Sequence, residues 1–310
     1  MELVQGLHNI STEHHGCVLT IGNFDGVHLG HKEVLAQVNS LSEKYALPAV
    51  VMVFEPQPKE LFMKHKAPAR LCSIREKYTH LKLQKLDRMV CVNFNEKFAN
   101  LSADDFINLL HEKLGVKHLI VGDDFQFGRD REGGYALLQK AGKELGFRVS
   151  NTQSFVQEQL RVSSTAIRDA LNQGDLKAAH TMLGRPFSIL GRVSHGNKLG
   201  RTIGFPTANI PLKRACPPLK GVFVVRVNGA KDNPVNGIAN IGKRPTIDGD
   251  VHVLEVHLLN FQADIYGLHI EVEVLEKLRD EHKFDDYEQL KKQIEIDAQH
   301  AREWFINSAL

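Results

Sequence analysis

The sequence predicts an α/β protein of two domains: a parallel sheet flanked by helices, then an antiparallel β-barrel that a last helix closes. Three observations predict it. Apolar strand-like runs alternate with helical patterns through the first half, as in parallel sheets with helices on both faces. Beyond residue 184 the runs become strands separated by Gly, Pro and Asn turns, with no comparable helix until Asp285. Finally, 310 residues exceed what a single core usually organises. The expected domains are 1–184 and 185–310.

The elements follow in order. Residues 17–22 read as a buried strand, and a helix follows from about His31 with Val34, Leu35, Val38, Leu41 and Tyr45 on one face. Residues 49–54 form a second strand, ended by Glu55-Pro-Gln-Pro58, and 88–94 a third. Ser102 with Asp105 three residues on reads as a capping box; its helix runs through Leu114 and stops at Gly115. Residues 118–121 give a fourth strand, which runs into a glycine-bounded turn at 122–128. Residues 164–183 read as one helix ending at Gly184-Arg-Pro186. In the second half, 189–193, 222–227, 237–241, 251–259 and 270–274 are strand-like. The closing helix is expected to cap at Asp285 with Glu288, and its stripe of Tyr287, Leu290, Ile294, Ala301 and Phe305 is for packing.

Composition narrows the function classes. With 42% apolar and 25% charged residues the chain reads as an ordinary soluble globular protein. A formal net charge of +2 provides no large basic field, so nucleic acid is not an expected partner. The first residues lack the basic and apolar regions of a signal peptide. No apolar stretch approaches the roughly 20 residues that span a bilayer. The expected location is the cytoplasm, and the expected state a monomer or weak homo-oligomer. Cys17, Cys72, Cys91 and Cys216 stand singly and read as structural thiols rather than a disulfide framework.

The densest chemistry lies at residues 22–31, Gly-Asn-Phe-Asp-Gly-Val-His-Leu-Gly-His. Gly26 and Gly30 permit a sharp turn and close approach to a ligand. His28 and His31 fall where the next helix begins, and helix N-termini attract anions. The residues therefore read as a phosphate site with two imidazoles aimed into it. Metal binding by the histidine pair, or simple capping and packing, are the alternatives. A second stretch, Arg161-Val-Ser-Ser-Thr-Ala-Ile-Arg168, sets Ser163, Ser164 and Thr165 at a helix start with Arg168 one turn on; plain N-capping is its alternative. Pro56 and Pro58, with Asp123, Phe125 and Phe127, offer surfaces that suit a flat aromatic ligand or loop packing equally.

A third constellation opens the barrel. Gly191, Gly196, Gly200 and Gly204 make a flap able to lie over phosphates. Thr207 and Asn209, two apart, share one face of an extended segment and carry hard oxygens suited to Mg2+. An ordinary glycine-rich turn with polar strand residues fits the same pattern.

Residues 22–31 resemble the H-x-G-H signature of the nucleotidyltransferase superfamily, which implies a Rossmann-like N-terminal sheet. Residues 163–168 resemble its S-S-T-x-x-R motif, which grips the β- and γ-phosphates of ATP. The G-x-P-T-A-N run at 204–209, with 240–246 and 254–259, is similar to the riboflavin kinase signature. Together they cover essentially the whole chain, which resembles the bacterial bifunctional riboflavin kinase/FAD synthetase family. The resemblance implies phosphorylation of riboflavin to FMN, then adenylylation of FMN to FAD with release of pyrophosphate. It implies ATP as co-substrate, Mg2+ as the metal, and riboflavin, FMN and ATP as the small-molecule substrates. Carried onto this chain, it makes Thr207 and Asn209 the ligands of Mg2+–ATP and Glu255 the catalytic base. His28, His31 and Arg168 would stabilise charge at adenylyl transfer. Gly22, Asn23, Phe24, Asp25, Ser163, Ser164 and Thr165 would bind ATP in the first activity; Gly196, Lys198, Gly200, Gly204 and Pro206 would bind it in the second. Arg279 and Glu281 correspond to a segment near the flavin. Lys243 and Asn260 depart from the commoner Thr and Asp of the family without touching these positions. A single-activity adenylyltransferase with a flavin-binding barrel, or a non-catalytic flavin regulator, would share the same folds.

Overall fold

The computed structural model describes the chain apart from residues 153–155, 158–159, 197–199, 201–203, 213–215, 247–248 and 309–310; for 156–157, 160–161, 243–246 and 249–251 it describes the backbone alone. The chain divides into two compact units, Met1–Pro68 with Ile74–Ser163, and Ala69–Ser73 with Ser164–Leu310.

The first unit is built on β1 (Glu2–Gln5), β2 (Cys17–Ile21), β3 (Ala49–Glu55), β4 (Arg88–Asn93), β5 (Val116–Gly122) and β6 (Arg148–Thr152). These form one six-stranded sheet in the order β1-β4-β3-β2-β5-β6. Every pairing in it is parallel, as expected from the alternating pattern. The helices are α1 (Leu29–Tyr45), α2 (Pro58–Met63), α3 (Ile74–Lys82), α4 (Glu96–Ala99), α5 (Ala103–Asn108) and α6 (Tyr135–Leu145). β7 (Val156–Gln157) pairs antiparallel with β8 (Leu160–Arg161). Both faces of the sheet are buried. Val18, Val51, Val53 and Met89 pack with Leu35 and Val38 of α1 on one side. On the other, Leu19, Val50, Met52, Val90 and Val121 pack with Phe106 of α5 and Leu138 of α6. Such strands read as continuous apolar runs because neither face meets water.

The edge strand β1 is absent from the sequence reading. Only Val4 of its four residues is buried, so no apolar run announces it. Ion pairing supplements its ladder: Glu2 Oε2 accepts from Arg88 Nε at 2.8 Å, and Glu2 Oε1 lies 3.1 Å from His14 Nε2. Arg88 first, then His14, holds the Glu2 carboxyl below its usual value.

His118 in β5 carries a pH-dependent part of the stability. It is buried, with Nε2 2.7 Å from Ser150 Oγ. Burial first, then the cations of Arg148 and Lys44, lowers its pKa from the ordinary 6.5. The unfolded chain therefore takes up this proton more readily. The contribution of neutral His118 is complete above pH 6.5 and declines as the pH falls below it. The urea midpoint is expected to drop between about pH 7.5 and 5.5, and to drop less in His118→Gln; equal slopes in the two proteins would contradict this assignment.

The second unit begins with α7 (Ser164–Gln173) and α8 (Leu176–Leu183), two helices where the sequence predicts one. Gly174 takes a φ of 79°, and Asp175 starts the next helix by accepting from the Ala178 N–H at 2.9 Å. The barrel strands are β9 (Phe187–Arg192), β10 (Ala208–Pro211), β11 (Gly221–Asn228), β12 (Val235–Thr246), β13 (Gly249–Leu258) and β14 (His269–Arg279). They pair antiparallel in the order β10-β13-β12-β11-β14-β9. The sheet nearly closes on itself, because a bridge between Ser194 and Asn209 joins the chain just past β9 to β10. β12 and β14 run beyond the predicted 237–241 and 270–274, since backbone pairing continues through polar residues that carry no apolar signal.

The closing helix is Tyr287–Ser308, and its Ala298 and Ala301 pack on Val224 and Ile238. Its cap is Asp286 rather than the expected Asp285: Asp286 Oδ1 accepts from the Gln289 N–H at 2.8 Å. The helix simply begins one residue later, and an aspartate in either place satisfies the pattern. Near residue 109 a second expectation also shifts. Ser102 Oγ accepts from the Asp105 N–H at 3.1 Å as predicted, but the helix widens into a π-turn at Leu109–Lys113 before Gly115.

Candidate active sites

In the first unit the chain leaves β2 for β3 on one side, and β5 later pairs with β2 on the other. Ligands bind at such switch points, outside the carboxyl ends of the strands. Residues 22–31 leave β2 there. The turn is strained, with Phe24 at φ 46° and the β-branched Val27 at φ 42°, both in the left-handed region that L-residues avoid. Strain of this kind persists where surrounding structure holds it for a purpose. Asp25 and His28 are buried, and Asn23 Oδ1 is buried without a hydrogen-bond partner among the described residues.

His28 is the N-cap of α1. Its Nδ1 accepts from the His31 N–H at 3.3 Å, so the ring proton of the neutral form resides on Nε2. The two imidazoles stack with centroids 3.6 Å apart, and Phe24 lies 4.9 Å from His31. The capping alternative is thus true of His28 in part, and capping itself fixes its tautomer as an Nε2–H donor. Among the described residues no three His, Cys, Asp or Glu side chains gather as a metal site, so the zinc alternative finds no further ligands.

Pro56 follows a cis peptide bond at the end of β3, and Pro58 opens α2. Phe127 is buried against Phe106, with ring centroids 5.0 Å apart, and Phe125 stacks on it at 5.8 Å. Asp123 is exposed in the same loop. The structure extends this surface with residues the sequence reading missed. Phe94 contacts both Phe54 (5.5 Å) and Phe62 (6.0 Å), and Phe98 joins Phe94 to Phe106. Phe62 is 68% exposed, an unusual state for an aromatic ring attached to such a cluster. Their shared signal is slight: Phe54 and Phe94 stand at the ends of two neighbouring parallel strands.

In the second unit, Ser164 and Thr165 open α7, with Ser163 just before them. Arg168 Nε donates to the Ala69 carbonyl at 2.6 Å, which ties Ala69–Ser73 to this unit.

The barrel gathers the third constellation. Asn209 in β10 stands directly opposite Glu255 in β13, and Glu255 stands opposite Asn240 in β12. Residues opposed in this way point to the same face, so the three side chains form one row. Thr207 precedes Asn209 by two positions, and its carbonyl accepts from Asn209 Nδ2 at 3.3 Å. Asn209 is buried, and its Oδ1 has no hydrogen-bond partner among the described residues. Gly196 makes room for that amide: a Cβ there would lie 2.5 Å from it. At Gly200 the carbonyl accepts from the Phe205 N–H at 2.7 Å, and Gly204 turns with φ 87°. Lys198 lies outside the described residues. The carbonyl of Pro206 lies 2.9 Å from His257 Nδ1, and burial chiefly lowers the pKa of His257.

Thr207 also borders a cavity of about 350 Å³ lined by Val193, Pro206, Val256, Phe261 and Tyr266 among others. The His195 ring packs on Tyr266 with centroids 3.9 Å apart. Neither the cavity nor these two rings figured in the sequence reading. Arg279 is engaged by the closing helix, its Nε and Nη2 donating to Asp297 Oδ2 at 3.1 and 2.8 Å. Glu281 Oε1 accepts from Asn240 Nδ2 at 3.3 Å.

A family model described as FAD synthetase matches residues 10–166, and one described as riboflavin kinase matches 183–305. A curated Escherichia coli K12 protein named bifunctional riboflavin kinase/FMN adenylyltransferase is 52% identical over 98% of both chains. A Haemophilus influenzae protein of the same name is 50% identical over 98% of this chain and 99% of its own. The chain belongs to the bifunctional riboflavin kinase/FMN adenylyltransferase family.

This family member therefore phosphorylates riboflavin to FMN and adenylylates FMN to FAD with release of pyrophosphate. A solved Streptococcus pneumoniae chain named a macrolide-efflux protein is also similar, at 32% identity and a TM-score of 0.83 over 98% of this chain and 100% of that one. Among the described residues of this family member, no helix is long and apolar enough to cross a membrane.

Proposed function

We propose that the two activities reside in separate stretches of chain, adenylyl transfer in 1–184 and riboflavin phosphorylation in 185–310. The matched ranges of the two family models support this division. The observation that carries the kinase assignment is the register of β10 on β13, which sets Asn209 opposite Glu255. Glu255 takes the proton of the terminal ribityl hydroxyl as its oxygen attacks the γ-phosphorus of ATP, and ADP leaves. A sugar alcohol is too weak an acid to attack without such a base.

The oxygens of Thr207 and Asn209 would hold Mg2+, and the buried, unpartnered Oδ1 of Asn209 is the kind of hard donor this ion takes. When bound, Mg2+ neutralises charge on the phosphates. Gly196 keeps space for the Asn209 amide, while Gly200, Gly204 and Pro206 shape the flap over the nucleotide. Asn209→Ala is expected to raise the Mg2+ concentration for half-maximal FMN formation by roughly tenfold or more, leaving the Mg2+ dependence of FAD formation unchanged. An unaltered kinase titration would overturn the assignment.

For adenylyl transfer, an oxygen of the FMN phosphate attacks the α-phosphorus of ATP, and the bond to the oxygen bridging the β-phosphate breaks. The nucleophile is already ionised, so alignment and charge stabilisation matter more than a base. His28, through its Nε2–H, and His31 supply donors at the strained turn, with Gly22, Asn23, Phe24 and Asp25 shaping it. Ser163, Ser164, Thr165 and Arg168 take phosphate oxygens of ATP, as helix starts do. Pro56, Pro58, Asp123, Phe125 and Phe127 border the flavin in this activity; Arg279 and Glu281 do so in the kinase. The protein works in the cytoplasm as a monomer or weak homo-oligomer, and sedimentation showing a tight oligomer would overturn the latter.

A further inference from the structure

The row across the barrel contains a residue to which the two reactions have so far given no task. Asn240 shares the face of Glu255, one strand beyond it on the side away from Asn209. Its Nδ2 donates to Glu281 Oε1, while its Oδ1 is buried without a hydrogen-bond partner among the described residues. Glu281 determines which way the amide points, because an amide oxygen turned toward a carboxylate would meet repulsion. A buried acceptor left unmatched is costly, and such groups usually serve a ligand or water.

Gly242 sustains this arrangement. It lies two residues along β12, hence on the same face, and a Cβ there would stand 1.7 Å from Glu281 Oε1. With glycine there, the Glu281 carboxylate settles over the strand and holds the amide; a Cβ would push that carboxylate aside. Three residues on two segments thus fix one acceptor beside Glu255.

The register also orders the substrate. Asn209 marks the phosphate-donor side and Glu255 the attacking hydroxyl, so the rest of the acceptor extends along the row toward Asn240. Neighbouring strands are about 4.8 Å apart, a span that a short polyol chain covers within its first few carbons. We propose that Asn240 Oδ1 accepts a hydrogen bond from a secondary hydroxyl of the ribityl chain, holding the terminal hydroxyl against Glu255. It rests on the assignment of Glu255 to the kinase reaction. Glu281 and Gly242 act through Asn240 as positioning residues.

The test measures FMN formation by the full chain with riboflavin and with three analogues lacking the 2′-, 3′- or 4′-hydroxyl in turn. Asn240→Ala is expected to raise KM for riboflavin about tenfold, with KM for ATP and conversion of supplied FMN to FAD unchanged. In the wild-type enzyme one deoxy analogue shows the same rise, and in Asn240→Ala that analogue suffers no further penalty. Gly242→Ala is expected to reproduce the effect although its side chain would touch no substrate. Asn240→Ser serves should the alanine variant fail to fold, and the wild-type analogue series depends on no variant. An unchanged KM for riboflavin, a rise in KM for ATP alone, or wild-type indifference to every deoxy analogue would overturn the proposal. Glu255→Gln keeping full kcat while Asn240→Ala shifts KM for riboflavin would instead refute the base assignment and leave Asn240 its role.

Discussion

Glu255→Gln is expected to slow FMN formation by about 10²–10⁴-fold while supplied FMN is still converted to FAD. Glutamine preserves the size and shape of the side chain, so the pairing of β13 with β10 and β12 is undisturbed. It removes only the capacity to accept the hydroxyl proton. A loss in kcat at near-constant KM for riboflavin and ATP is the signature of an interaction made in the transition state. Chromatography of the flavins after parallel incubations of riboflavin and of FMN with ATP and Mg2+ reads the two activities separately. Loss of both activities in a folded variant would argue against two independent reaction centres, and retention of FMN synthesis would remove Glu255 from the chemistry.

His31→Ala should produce the reverse pattern, with FAD formation reduced about 10²–10³-fold and riboflavin phosphorylation intact. This magnitude is that of one donor withdrawn from charge that develops in the transition state. His31 is the cleaner position because His28 also caps α1 through Nδ1. Replacing His28 by alanine removes the cap as well, at about 0.5–2 kcal/mol, and mixes stability with catalysis. His28→Asn separates the two: asparagine caps well but carries no imidazole Nε2–H. It should therefore fold like the parent and lose adenylyl transfer. Normal FAD synthesis by both His31→Ala and His28→Asn would refute the donor role of the pair.

Local patterns were readable from the sequence to different depths. The parallel sheet announced itself because both its faces are buried, which writes largely apolar runs at 17–22 and 49–54. β1 left no such trace, since one buried valine beside an exposed leucine in a four-residue strand carries no period. The break between α7 and α8 is a matter of one glycine and one capping aspartate, residues a continuous helix also tolerates near its surface. In the site, the glycine–histidine turn was conspicuous because its residues are adjacent in sequence. The phenylalanine cluster was not, because Phe54, Phe62, Phe94, Phe98, Phe106 and Phe127 come from six separate elements and loops.

By itself the sequence determined the two fold classes, from periodic patterns along each half, and the turn that carries His28 and His31 and the Thr207–Asn209 pair, each written within a dozen consecutive residues. Tertiary structure alone decided how those features are completed. The strand register set Asn209, Glu255 and Asn240 in one row, and the α1 cap chose the tautomer of His28. It also gave Arg279 to Asp297 and Glu281 to Asn240. The physical reason is range: turns, caps and periodicity depend on neighbours in the chain, whereas register and the partners of a polar side chain depend on residues brought near only by folding.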